Sequence, residues 1–150
     1  MRPVSRFMAP FTAAVLLFLV GCGPSFKDTA NLANPNQAII AFGDSITVGF
    51  GASPGADYPN VLAQLINAPV INAGRNGDTT ASALQRLDSD VLALQPRLVI
   101  VELGGNDFLR KVPQEEVYRN LDQILARIVQ AGAIPVLVHA KFGIFNDPYY

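Results

Sequence analysis

Four short apolar runs separated by stretches of helical period set the tightest limit on what this chain can fold into. The runs cover residues 38–42, 70–72, 98–103 and 136–139. None shows the polar alternation of a half-exposed strand, so each is expected to be a strand covered on both faces in a parallel sheet. Between them, Tyr58 to Ile66 predicts a short helix, with Pro59 tolerated in the first turn. Residues 80–95 predict a second helix, whose apolar stripe is Leu84, Leu87, Val91 and Leu94, with Arg86, Asp88 and Asp90 elsewhere on the wheel. A third carries Val117, Leu121, Ile124, Leu125 and Ile128 on one face, a negative first turn at 114–116, and Gly132 where a C′ glycine belongs. Strands alternating with helices imply right-handed crossovers and an α/β fold, a three-layer sandwich around a parallel sheet. All the strands then end at one edge, where ligands bind in such folds.

The residues before 38 read differently. Arg2 and Arg6 precede a mostly apolar stretch at 7–20 that closes on "LVGC", Leu19 through Cys22. This is shorter than the roughly 18 to 20 apolar residues that span a bilayer, so an export signal is expected rather than a permanent anchor. "LVGC" resembles the bacterial lipoprotein lipobox, which implies a signal peptide over 1–22 and lipidation of Cys22. Acyl chains on that cysteine would hold the protein at a membrane durably. Gly23 is not the aspartate associated with inner-membrane retention, so the expected location is the bacterial cell envelope, on the periplasmic face of the outer membrane. Cys22 is the single cysteine, which leaves the mature domain without a disulfide. Residues 23–37, rich in Asn, Pro, Ser and Thr, read as a tether, and the domain begins at 38. A net charge of −1 argues against nucleic acid as a partner.

Chemistry concentrates at three polar clusters, each after a strand: Gly43-Asp44-Ser45, residues 74–79, and residues 104–107. A Gly-Asp-Ser turn alone is weak evidence, because Asp and Ser are good N-caps and would occur there for that reason. The second cluster, "NAGRNGDTT", adds two glycines, and the third, "ELGGND", adds two more and an asparagine. Glycines let backbone N–H groups approach a ligand, and an asparagine amide adds a side-chain donor, so the three clusters together could surround an oxyanion. Asp44 and Asp107 are expected to cap helices or fix loops. Glu102, inside an apolar strand, should have a hydrogen-bonding partner.

These blocks, "GDSITVGFGA" at 43–52, "NAGRNGDTTASALQRL" at 72–87 and "LVIVELGGNDFLR" at 98–110, resemble the SGNH or GDSL hydrolases, in their thioesterase, lysophospholipase and arylesterase group. The resemblance implies a flavodoxin-like SGNH hydrolase fold. It implies Ser45 as nucleophile and an oxyanion hole made by the backbone N–H groups of Ser45 and Gly77 and the side-chain amide of Asn106; Gly77 matches the family glycine better than Gly74. The activity it implies is that of a serine esterase or thioesterase acting on a small acyl ester, thioester or lysophospholipid through an acyl-serine intermediate. No metal or other cofactor is expected, since no Cys/His cluster or nucleotide fingerprint is present, and a monomer is expected.

A serine needs a base, and the family supplies one from a late Asp-x-x-His motif that this sequence does not contain. Residues 38–150 are therefore expected to be a partial domain, incomplete at the C-terminus, weak or inactive as a hydrolase and prone to fold poorly. His139, the single histidine, sits at a strand end and is expected to pack rather than to contact Ser45; Asp147 could orient a base but has none to orient. Two alternatives stay open: a non-catalytic lipoprotein that keeps an acyl-binding pocket, and a carbohydrate acetylesterase on the same fold.

Overall fold

A computed structural model describes residues 38–138 of the 150. Cys22, the signal and tether segments, His139 and Asp147 lie outside the described residues. Four parallel strands, β1 (Ile39–Gly43), β2 (Val70–Gly74), β3 (Leu98–Glu102) and β4 (Ile134–Leu137), form one sheet in the order β2-β1-β3-β4. The helices are α1 (Ser45–Val48), α2 (Tyr58–Ile66), α3 (Thr80–Asp90), α4 (Gly105–Leu109) and α5 (Gln114–Gln130).

Pairing is in step across the sheet: Ile39 lies between Val70 and Leu98, and Gly43 between Gly74 and Glu102. Because side chains alternate along a strand, this register sorts the residues onto two faces. Ile40, Phe42, Val99 and Val101 point to one face, where they form a core with Ala83 and Leu87 of α3 and Ile124 and Ile128 of α5. Gly43, Gly74 and Glu102 share the opposite face with α1. That helix lies so close that a Cβ on Gly43 would fall 2.1 Å from the Thr47 hydroxyl, and one on Gly74 would fall 2.5 Å from the Val48 nitrogen. Only glycine allows this approach at the strand ends.

Local chemistry explains where the helices begin and end. Asp57 caps α2, its carboxylate accepting from Asn60 N at 3.1 Å, and Thr79 caps α3 in a reciprocal box with Ser82. At the end of α5, Gly132 takes φ +81°, Ala133 N donates to Ile128 O and Gly132 N to Val129 O, which completes a Schellman motif. The C′ glycine predicted there is borne out.

Several expectations need correction. The second helix stops at Asp90; Val91 leaves helical geometry, a 3-10 turn covers Leu92–Leu94, and Gln95 adopts φ +49°. β4 begins two residues earlier than the apolar run suggested, taking in Ile134 and Pro135 at the edge of the described sheet, where a proline is tolerated. Burial on both faces holds for β1, all five residues of which are buried, but not for the outer strands, where Ile71, Val136 and Leu137 are exposed.

Candidate functional site

The sheet order places the ends of β1 and β3 side by side, with chain leaving β1 toward β2 and returning on the other side at β3. This switch point is where an open α/β sheet leaves a crevice. Ser45 follows β1 at the start of α1, and Asn106 lies in α4 after β3. Together with Asp44, Ile46, Gly105, Phe108 and Leu109 they line a cleft of about 220 Å³. Ser45 is partly exposed, and its hydroxyl and backbone N–H make no hydrogen bond among the described residues.

Asp44 is the hinge of the turn. Buried to 2% exposure, it accepts from Ile46 N at 2.9 Å through Oδ1 and from the Asn106 side-chain amide at 3.1 Å through Oδ2. The expected capping role is therefore present, and a second bond runs to the asparagine. The Asn106 Nδ2 also donates to the Asp78 carbonyl at 2.9 Å, so both of its hydrogens are engaged and three clusters are tied at one point. Gly77, next to Asp78, has φ +77°, and its carbonyl accepts from Arg110 at 2.9 Å. Its N–H makes no hydrogen bond among the described residues. Ser45 and Asn106 thus share the cleft, while Gly77, next to the Asp78 whose carbonyl accepts from Asn106, is not among the residues that line it.

The remaining carboxylates support the scaffold. Asp107, fully buried, accepts from Thr80 N at 2.9 Å and from the Thr80 hydroxyl at 2.7 Å; that hydroxyl in turn accepts from Asn120 at 3.1 Å. This chain joins α4, α3 and α5. Glu102 has the partner it was expected to need, since the Thr47 hydroxyl donates to it at 3.1 Å, and that hydroxyl also lies 3.3 Å from the Tyr58 phenol. Burial, then the neighbouring Asp44 negative charge, pushes the Glu102 carboxyl up to about 7.

Arg86 is the largest departure from the sequence reading, which left it off the apolar stripe. It is buried, stacks over the Phe42 ring at 4.5 Å, and donates to Asp78 at 2.6 Å, Asp90 at 3.1 Å, Ala73 O at 3.0 Å and Gly43 O at 3.1 Å. A helical wheel weighs it as a surface cation, because nothing local announces the acceptors at the ends of β1 and β2. Thr47 and Arg110 also went unassigned. Asn120 did carry a signal, a polar residue three positions after Val117 on an otherwise apolar face.

Residues 41–150 match the model of the GDSL-like Lipase/Acylhydrolase family. The chain is 34% identical over 140 residues to the Escherichia coli protein named thioesterase 1/protease 1/lysophospholipase L1, covering 92% of this chain and 62% of that one. It is 31% identical over 140 residues to the Bacillus subtilis uncharacterized lipoprotein YqeF, covering 83% of this chain and 53% of that one. Among solved structures, the SGNH-hydrolase family esterase AlinE4 superposes with a TM-score of 0.65 at 40% identity, over 73% of this chain and 62% of the other. The chain thus spans less than two thirds of the length of these relatives.

Proposed function

The chain belongs to the GDSL-like lipase/acylhydrolase family, and on that footing we propose that the protein is a serine esterase or thioesterase hydrolysing small acyl esters, thioesters or lysophospholipids. Ser45 is the nucleophile. Its hydroxyl attacks the acyl carbon, the alcohol or thiol leaves with a proton, and water resolves the acyl-serine. The Ser45 and Gly77 N–H groups and the Asn106 amide receive the oxyanion, each donor worth about 3 kcal/mol in the transition state. The observation that carries this reading is the shared cleft: Ser45 and Asn106, 61 positions apart in the chain, line it together. Two of the donors, the Ser45 and Gly77 N–H groups, have no partner among the described residues, and the third exchanges a neutral carbonyl for a charged oxygen.

Anchoring through Cys22 belongs to the same proposal, supported by the lipobox-like "LVGC" and by the relative described as a lipoprotein. It would place the domain at the bacterial envelope, on the periplasmic face of the outer membrane. A second reading is an acyl-binding lipoprotein without turnover, supported by the apolar side chains Ile46, Phe108 and Leu109 that line the cleft beside Ser45.

The test uses the protein extracted from its native membranes. Hydrolysis of short p-nitrophenyl and acyl-thioester substrates is measured for it and for Ser45→Ala, and the intact mass is taken before and after a fluorophosphonate. A single phosphonate adduct, lost together with activity in Ser45→Ala, is expected. Undiminished hydrolysis by that variant refutes the esterase assignment, and ligand binding with neither adduct nor turnover favours the second reading.

A further inference from the structure

Asn106 in α4 and Arg110 at the end of that helix stand one turn apart, and Arg110 N donates to the Asn106 carbonyl at 3.0 Å. Their side chains grip two consecutive carbonyls of the loop that follows β2. The Asn106 amide donates to Asp78 O at 2.9 Å, and the Arg110 guanidinium donates to Gly77 O at 2.9 Å. The guanidinium also lies against Gly77 itself, since a Cβ placed there would meet Arg110 Nη2 at 3.5 Å.

The loop is secured unevenly. Its start is tied to β1 by Arg75 N, which donates to Gly43 O at 3.0 Å, and its end by the Asp78 carboxylate, which accepts from Arg86 and Ser82. Asp78 N donates to Arg75 O at 3.2 Å, closing a four-residue turn with Asn76 and Gly77 at its apex. Gly77, at φ +77°, has no side chain to brace it. Among the described residues, the Arg110 bond is what joins this apex to the helix that carries Asn106.

The esterase reading gives the apex a task, because the Gly77 N–H and the Asn106 amide are to meet the same oxyanion. A misplacement of about 1 Å is costly in such a site. One hydrogen of the Asn106 amide is held by the buried Asp44, and the other, now on Asp78 O, is the one an oxyanion would take. In the transition state α4 would then keep the Arg110 bond as its side-chain hold on the loop. Resting on that reading, we propose that Arg110 is a positioning residue: through the Gly77 carbonyl it keeps the Gly77 N–H at a fixed distance from the Asn106 amide while the oxyanion forms.

The experiment compares the full protein with Arg110→Met and Arg110→Lys, in ester hydrolysis and in hydrogen exchange of the Asp78 amide followed by ¹H–¹⁵N NMR. Gly77 C=O and Asp78 N–H belong to one planar peptide unit, so exchange there reports the hold on that unit without any substrate. Arg110 is exposed, and neither substitution should disturb folding. In Arg110→Met, kcat should fall about tenfold at unchanged KM, short of the roughly hundredfold or greater loss that follows removal of an oxyanion donor. Its Asp78 amide should exchange about three- to tenfold faster. Arg110→Lys keeps a cationic donor and should recover part of both losses. A kcat equal to the parent's, a change confined to KM, or unaltered Asp78 exchange in Arg110→Met overturns the proposal. Failure of the esterase reading would show separately, as a parent without Ser45-dependent hydrolysis, and the Asp78 exchange then decides by itself whether Arg110 holds the loop.

Discussion

Replacing Arg86 by Met would test whether the buried guanidinium holds the strand ends that carry the site. Met keeps much of the aliphatic volume and the contact with Phe42 but removes every donor. Asp78, 4% exposed, would lose its ion-pair partner at 2.6 Å and, among the described residues, its carboxylate would retain the Ser82 hydroxyl at 2.8 Å. The Ala73 carbonyl would lose its arginine donor, whereas the Gly43 carbonyl would keep Arg75 N at 3.0 Å. Breaking a buried pair from one side costs about 3–5 kcal/mol, because it strands a charge. That is a large part of the roughly 5–15 kcal/mol available to a domain. With a urea dependence of about 2 kcal/mol per molar, the unfolding midpoint should fall by about 2 M at unchanged slope. Adding Asp78→Asn to Arg86→Met removes the stranded charge and should return about 2 kcal/mol or more. A single-variant loss below about 1 kcal/mol, or a double variant no more stable than Arg86→Met, would refute this account of the arginine.

Gly74→Ala should lower thermal stability by about 1–3 kcal/mol, because its Cβ would sit 2.5 Å from Val48 N and 2.9 Å from the Thr47 carbonyl carbon, against backbone that cannot swing aside; a melt equal to the parent's would show that α1 can move away freely. Stability should also depend on pH through Glu102, raised from its ordinary 4.5 to about 7 in the folded protein. Since the folded state keeps the proton longer than the unfolded chain, the contribution is full below 4.5 and is lost as pH rises through about 7. Glu102→Gln should flatten that slope in urea titrations at pH 4.5, 6 and 8, and an unchanged slope would assign it to another group.

Much of the architecture can be read from local pattern, because the determinants are local. The span of α2 follows from Pro59 near its start and an apolar face, and the end of α5 follows from Gly132, whose φ of +81° a side chain would resist. Ser45, Gly77 and Asn106 stand out because serine, glycine and asparagine after strands have few structural reasons to cluster at one edge. The extent of burial was less legible. A run such as residues 136–139 reads as a core strand, yet β4 is an edge of the described sheet, with Val136 and Leu137 exposed.

By itself the sequence determined the alternation of strands and helices, the turns that end them and the residue types placed at the sheet's C-terminal edge, since each depends on neighbours a few positions apart. Only the tertiary structure decided what those residues face. The order β2-β1-β3-β4 brings Asp44 to Asn106 across 62 positions, sends Arg86 to carbonyls on β1 and β2, and buries Glu102 against the Thr47 hydroxyl. Charge state and hydrogen bonding depend on distance and on exclusion of water, and both are properties of packed space that no local pattern carries.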